Sequence, residues 1–239
     1  MRYAISDIHG CKKTLMKALE TVEFQRGDDL YVIGDCIDRG PDSPGVIDFL
    51  IKGRKEGFNF HVLMGNHEDF LLSSIGNPEV YSSWMFNGGN HCMNQYLRGH
   101  DRDYREVDMM NFHKFIPRSH RDFLQELPLY KDTGDCILVH AGLNFYLEDP
   151  LKNSSKDEMI WERYSEYHPG ALGGRGLITG HTPRLRQKIE DDIINKQGHI
   201  LIDGGCCFYK QYSYDYGNLV VYNMDTKELH FIRNCETNE

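Results

Sequence analysis

The sequence contains no apolar run near the roughly 20 residues that a bilayer-spanning helix needs, so no membrane partner is expected. It has no basic excess either: 27 Lys and Arg stand against 36 Asp and Glu, a formal charge of −9. A groove that neutralises nucleic-acid phosphates shows as a positive surplus, so nucleic acid is not an expected partner. A local cationic centre can still attract one phosphate group against that global sign. C-x-x-C spacing is absent, and the seven cysteines are scattered and odd in number. Cys206 and Cys207 are adjacent, an arrangement that seldom suits a mutual bridge, so reduced thiols and a cytoplasmic location are expected. No signal-peptide pattern precedes the first polar cluster, which follows directly on Arg2 to Ser6. Internal repeats, low complexity and a long linker are missing too. The 239 residues, 40% of them hydrophobic, suit one α/β domain over residues 1–239 with its own core.

What is there is a repeated theme. Apolar runs at Tyr3 to Ile5, Leu30 to Ile33 and Phe60 to Leu63 each lead into a polar turn and then a stretch with helical spacing, such as Leu15, Leu19 and Val22. Buried strands alternating with helices indicate βαβ units and parallel pairing. In such sheets functional groups gather at the carboxyl ends of the strands. Residues from about 72 to 130 change character, with aromatics, Gly, Asn and charges but no clear period. They are read as a mostly helical insertion over the site. The theme returns at Cys136 to Val139 and Leu177 to Thr179. Ile200 to Ile202, Leu219 to Tyr222 and Leu229 to Ile232 look like strands of a second sheet.

Every polar cluster follows a strand. Asp7-x-His9 is weak alone, because a turn explains the Asp. Gly34-Asp-x-x-Asp-Arg-Gly40 is stronger, since two carboxylates and an Arg crowd one turn. Gly65-Asn-His-Glu68 has a plain alternative, with Asn as a turn former and Glu as an N-terminal helix charge. His140-Ala-Gly142 and Gly180-His-Thr182 are each weak, for a lone His ending a strand is more often structural. Together these five strand ends offer Asp7, His9, Asp35, Asn66, His140 and His181. Imidazole mixed with carboxylate and amide oxygen suits a first-row ion such as Mn, Fe or Zn better than Mg or Ca. Six ligands are too many for one catalytic ion with an open position. They suffice for two ions sharing a carboxylate, at the roughly 3.5–4 Å separation of two-metal hydrolases.

These five motifs, in this order across residues 7 to 182, resemble the signature of the metallophosphoesterase superfamily. Gly34 to Gly40 and Gly65 to Glu68 are similar to its phosphoprotein phosphatase branch, which includes bacterial and phage serine/threonine phosphatases and symmetrical diadenosine tetraphosphatases. The resemblance implies a four-layer α/β fold, two mixed sheets flanked by helices, with the helical cap at about 72–130. It implies two divalent transition-metal ions, manganese first, with iron or zinc as alternatives. Asp7 and His9 would hold the first ion, Asp35 would bridge both, and Asn66, His140 and His181 would hold the second. A metal-bridging hydroxide would be the nucleophile. Arg39 would clamp phosphate oxygens, which Asn66 would also face, and His67 paired with Asp38 would be the general acid.

Outside these motifs the residues speak less plainly. Arg163, in Ile160 to Arg163, resembles a segment of bacterial members whose Arg reaches the phosphate; an exposed helix Arg is the alternative. Arg175 is its rival. Trp84, Asn87, Gly88 and Gly89, with Tyr96 beyond, resemble a cap segment that serves either packing or substrate contact. Cys36 should alternate away from the metals. The expected function is a phosphomonoesterase acting on phosphoserine or phosphothreonine in proteins. Diadenosine tetraphosphate or another nucleotide anhydride is the alternative substrate, for which Arg98, Arg102, Arg105, Trp84 and Tyr104 offer charge and stacking. An inactive scaffold should have lost ligands, the Arg or the acid, and every expected position is filled. The oligomeric state is left open.

Overall fold

The computed structural model describes residues 1–100, 102–163, 166–194, 198–208 and 215–236. Three βα units come first: β1 (Arg2–Ile5), α1 (Lys12–Thr21), β2 (Asp29–Val32), α2 (Ser43–Lys55), β3 (Asn59–Val62) and α3 (Asn66–Ser73). Helix α1 buries Thr14, Leu15, Ala18 and Leu19, one stripe at helical spacing. Helix α2 starts where Asp42 accepts a hydrogen bond from the Gly45 amide at 3.0 Å, with Pro44 in its first turn, where no amide is needed. A helical run follows: α4 (Pro78–Trp84), a kinked turn (Met85–Gly89) with Gly88 at φ 109°, α5 (Asn90–Tyr96) and α6 (Arg118–Gln125). Then come β4 (Tyr130–Asp132), β5 (Cys136–Val139), α7 (Pro150–Asn153), α8 (Lys156–Trp161) and β6 (Gly176–Thr179). The chain continues through α9 (Arg186–Ile194), β7 (His199–Leu201), β8 (Asn218–Asn223) and β9 (Leu229–Arg233).

Alternation along the strands sets the layers. Tyr3 and Ile5 join one apolar cluster while Ala4 joins another; Leu30 and Val32 separate in the same way from Tyr31 and Ile33. In β8, Leu219 and Val221 part from Val220 and Tyr222. Successive strand side chains point to opposite faces, so both faces of each sheet are covered. Ala4, Tyr31, Val220, Leu138 and Ile178 form a single cluster between the sheets, and the opposite faces meet helices. The result is two mixed sheets flanked by helices.

The sheet orders are β3-β2-β1-β8-β9 and β4-β5-β6-β7. This corrects one expectation. The strand at 199–201 does belong to the second sheet, but β8 and β9 complete the first, with β8 antiparallel to β1. Both sheets have two buried faces, so the apolar pattern of β8 is the same on either one. The edge left open by β1 decides its place.

Arg2 closes the sandwich at the end of β1 away from the strands' carboxyl ends, pairing with Asp135 at 2.7 Å and Asp225 at 2.7 Å. The Arg2 hydrogen bond holds the Asp135 carboxyl down to about 2. A depressed carboxyl stabilises the fold above its unfolded value and loses that contribution as pH falls towards 2. Half-exposed pairs are screened, so Arg2→Ala is expected to cost about 1 kcal/mol or less near neutral pH. In urea titrations the difference from the parent should vanish between about pH 4 and pH 2. A difference independent of pH would show that the Arg2 side chain acts by packing alone.

Candidate functional site

The polar turns converge where the carboxyl ends of β1, β2 and β3 meet those of β5 and β6. The first two are laced by backbone: the His9 amide donates to the Asp35 carbonyl at 2.8 Å, and the Gly10 amide to Cys36 at 2.8 Å. Among the described residues eight non-glycine positions have positive φ, and six are Asp7, His9, Asp35, Asp38, Arg39 and His181. Left-handed backbone costs of order 1–3 kcal/mol per strained residue, so surrounding bonds must hold it. Gly34, at φ 77°, makes room: a Cβ there would lie 2.6 Å from His140 Nδ1.

Much of that holding falls to Glu68. Its fully buried carboxylate accepts from the amides of Asp35 (2.9 Å), Cys36 (2.7 Å), Ile37 (3.3 Å) and Gly65 (2.9 Å). Burial, with the charge of Asp35 added, pushes this carboxyl up to about 7. Sequence reading saw in Glu68 only a motif residue or a helix charge; it ties the loop after β2 to the start of α3.

Asp35 lies at the centre. His9 Nε2 is 3.6 Å and His67 Nε2 4.0 Å from Oδ2, while His140 Nε2 is 3.4 Å from Oδ1. Asn66 Oδ1 is 3.0 Å from both His140 Nε2 and His181 Nδ1. Asp7 Oδ2 accepts from the His181 amide at 2.9 Å, which joins the two sheets. Two groups therefore share Asp35, one with His9 and His67 and the other with His140 and His181. The first contains His67 where the sequence expected Asp7, which lies beside it.

The tautomers suit cation binding. His9 Nδ1 donates to the Ile37 carbonyl at 2.8 Å and His140 Nδ1 to the Ile33 carbonyl at 2.8 Å, leaving each Nε2 turned towards Asp35. An imidazole whose second nitrogen is engaged by a carbonyl or carboxylate is the usual form of a metal ligand. His181 Nε2 is buried with no hydrogen-bond partner. The electrostatics agree. Asp7, Asp35, Asp38, Glu68 and Asp203 are all buried here, with the Arg39 guanidinium 2.6 Å from His9 Nε2. Burial pushes the Asp7 carboxyl up to about 6, and the Asp35 charge adds to it. Burial opposes protonation of His140, yet the Asp35 charge overrides it and raises the imidazole to about 10. Burial and then the charge of His140 take His181 down to about 3. A cluster that keeps one buried imidazole protonated favours positive charge at its centre.

Asp38 and His67 form a second unit, Oδ2 to Nδ1 at 2.6 Å, both fully buried. The Trp84 indole N–H donates to the same Oδ2 at 2.8 Å. Trp84 therefore both packs and bonds to the site, and it is closed to substrate. Tyr96 is buried too, its hydroxyl 2.9 Å from His120. Arg163 is exposed just after α8, its charge near enough to help depress His181, but no hydrogen bond joins its side chain to the imidazoles. Arg175 precedes β6, at the far end of that strand from His181, where it bonds the Leu172 carbonyl and Asp132. It is no rival for the site. Cys36 is buried in the core as expected, and all seven cysteines are unpaired.

Asp203 was missed as a site residue. Its buried carboxylate accepts from the Gly205 amide at 2.8 Å, and burial with the Asp7 charge pushes it well up. The signal was available, for Asp203-Gly-Gly follows a strand like the other clusters.

A buried mixed-donor centre between two sheets is suited to hold divalent cations, and the comparisons place the chain in a family. Residues 3–216 match the model of the calcineurin-like phosphoesterases. The chain belongs to this family, whose members work with a dinuclear divalent metal centre. It is 38% identical over 173 residues to a symmetrical bis(5'-nucleosyl)-tetraphosphatase of Buchnera aphidicola, a match covering 67% of this chain and 59% of that enzyme. It is also 38% identical over 191 residues to serine/threonine-protein phosphatase 1 of Salmonella typhimurium, covering 79% and 81%. The fold is shared with a cold-active protein-tyrosine phosphatase of Shewanella, TM-score 0.62 at 16% identity, over 97% of this chain and 80% of the other. A structure provisionally assigned to a diadenosine tetraphosphatase gives 0.66 at 19%, over 99% and 94%. No described helix is long and apolar enough to cross a membrane.

Proposed function

We propose that this protein is a phosphomonoesterase that removes phosphate from phosphoserine or phosphothreonine in proteins. The observation that carries the reading is the Asp35 carboxylate shared by two groups of buried imidazoles. Asp7, His9 and Asp35 would hold one divalent cation; Asp35, Asn66, His140 and His181 would hold the other. Bound there, the pair would lower the pKa of water and neutralise phosphoryl charge. The mixed nitrogen and oxygen donors favour manganese, iron or zinc over magnesium or calcium.

The chain's own groups would do the rest. Arg39 would clamp phosphoryl oxygens, with Arg163 adding a second guanidinium and Asn66 an amide. The Arg39 side chain lies over Phe208, and its amide is 3.4 Å from the Gly88 carbonyl. His67, oriented by Asp38, would give its Nε2 proton to the leaving alkoxide. The segment at about 72–130 would serve as a cap that also braces the loop: Gln95 receives from the Ser43 amide at 2.6 Å and donates to the Gly40 carbonyl at 2.7 Å. His67→Asn is then expected to slow a phosphoserine peptide by about 10²–10⁴-fold. p-Nitrophenyl phosphate, with a good leaving group, should lose far less; equal losses on both substrates would remove the general-acid role.

Support for a protein substrate comes from the Salmonella phosphatase, whose match at the same 38% identity spans more of both chains than that of the Buchnera tetraphosphatase, while an asymmetrical tetraphosphatase of Oceanobacillus iheyensis matches over 85% and 83% at only 26% identity. The features offered for a dinucleotide are weakened. Trp84 is buried, Arg105 pairs with Asp103 at 2.6 Å, and Arg98 and Arg102 share a hollow with Asp103 and Glu106. The deciding experiment restores Mn²⁺ to metal-stripped protein and compares phosphate release from a phosphoserine peptide with cleavage of diadenosine tetraphosphate. Preference for the peptide is expected. Preference for the dinucleotide would turn the reading to nucleotide anhydrides.

A further inference from the structure

Asp38 sits in an unusual setting for a group that orients a proton donor. The carboxylate is fully buried, and the two nitrogen donors that reach its side chain meet one oxygen, His67 Nδ1 at 2.6 Å and the Trp84 indole N–H at 2.8 Å, both on Oδ2, while the buried Cys92 thiol also lies against the carboxylate. Oδ1 has no hydrogen-bond partner among the described residues. A carboxylate held at one oxygen by a single donor can turn about its Cβ–Cγ bond and carry the imidazole with it. A second donor on that oxygen, from a rigid plane, stops the turn.

Trp84 is rigid here. The indole is fully buried, with Tyr81 at 6.2 Å and Phe112 at 5.5 Å between ring centroids. Gly89 lies against it so closely that a Cβ there would fall 2.6 Å from Nε1. The kink between α4 and α5 that follows Trp84 ends at this glycine, and its left-handed Gly88 receives the Arg39 amide. One short segment therefore reaches both the backbone of Arg39 and the carboxylate behind His67.

We propose that Trp84 is a positioning residue for the proton donor, fixing the Asp38 carboxylate so that His67 Nε2 stays aimed at the leaving oxygen. This rests on the reading of His67 as general acid. Trp84 acts through Asp38 and touches no substrate. Misaiming a catalytic group by about 1 Å costs up to about 10²-fold, so loss of the indole N–H should matter most where the leaving group needs a proton.

The test is the dependence of kcat on the leaving group, measured with Mn²⁺-loaded protein on a series from p-nitrophenyl phosphate to an alkyl phosphate. Trp84→Phe deletes the donor along with part of the ring. Replacement of Trp84 by 3-benzothienylalanine keeps the bicyclic shape and deletes only the N–H, which covers the case in which the Phe variant folds poorly. The expected result is a steeper dependence in both, with about tenfold or more extra loss on the alkyl ester relative to the nitrophenyl ester. His67→Asn should steepen it further, and adding the Trp84 change to His67→Asn should add nothing. If His67→Asn steepens the dependence and the benzothienyl variant does not, Trp84 is a packing residue and the proposal falls alone. Uniform loss across all leaving groups in the benzothienyl variant overturns it equally. If His67→Asn itself leaves the dependence unchanged, the general-acid reading falls and takes this inference with it.

Discussion

Asp35→Asn is expected to lose the stabilisation that Mn²⁺ confers and at least about 10³-fold of the phosphatase activity. Altering a group that only supports a metal ligand costs roughly 10–100-fold in affinity or activity, and Asp35 would face both cations directly. The amide has one oxygen where the carboxylate offers two: the His140 imidazole and the His67 backbone amide close on Oδ1, and the His9 and His67 imidazoles on Oδ2. Its NH₂ would point at an imidazole nitrogen or at the His67 amide. Without metal the same change breaks the pairing of the buried Asp35 carboxylate with the His140 imidazole, a pairing that holds the carboxyl well below its ordinary value against its burial. Chelated Asp35→Asn should therefore melt below chelated parent at neutral pH. Addition of Mn²⁺ should raise the parent by the free energy of binding, about 2.7 kcal/mol per site at 100 times Kd, and leave the variant nearly unmoved. A variant that Mn²⁺ raises as much as the parent would mean that Asp35 holds neither cation.

Glu68→Ala should lose stability through the loop, whether or not metal is present. Its carboxylate satisfies four amides in a loop whose backbone is left-handed at Asp35, Asp38 and Arg39. An unsatisfied buried donor costs about 1–3 kcal/mol, and some of the four will find water, so a loss of about 3–5 kcal/mol is expected. That is a large share of the 5–15 kcal/mol typical of a domain. Glu68→Gln should be nearly as damaging, because its NH₂ group would face two amide donors. Urea unfolding with chelator present measures this without any metal contribution. A midpoint within experimental error of the parent would show that the loop holds its shape by other means.

The site was legible because its chemistry lies at strand ends, where short motifs stay in fixed register with the apolar runs before them. Asp7, His9, Asp35, Asn66, His140 and His181 each follow a strand directly, and the parallel topology brings those ends together. What the sequence hid depends on partners distant in the chain. Trp84 reads as a core residue until its N–H is seen on Asp38, 46 positions away. Glu68 has the same pattern whether it caps a helix or holds a loop. In sequence Arg175 stands as a rival to the favoured Arg163, and the direction of β6 puts it at the wrong end. The strands after Phe208 were misassigned for a related reason: an apolar run records burial, and the choice of neighbouring strand comes from the open edge of β1.

The central claim is that two cations share Asp35 and that phosphate release depends on them. Metal content and phosphate release from a phosphoserine peptide should be measured on the same samples, first after exhaustive chelation and then during stepwise return of Mn²⁺. The account predicts no activity in the stripped protein, binding that saturates at two ions per chain, and activity that follows occupancy of the second ion. Full phosphate release from metal-free protein, or full activity at one ion per chain, would contradict it.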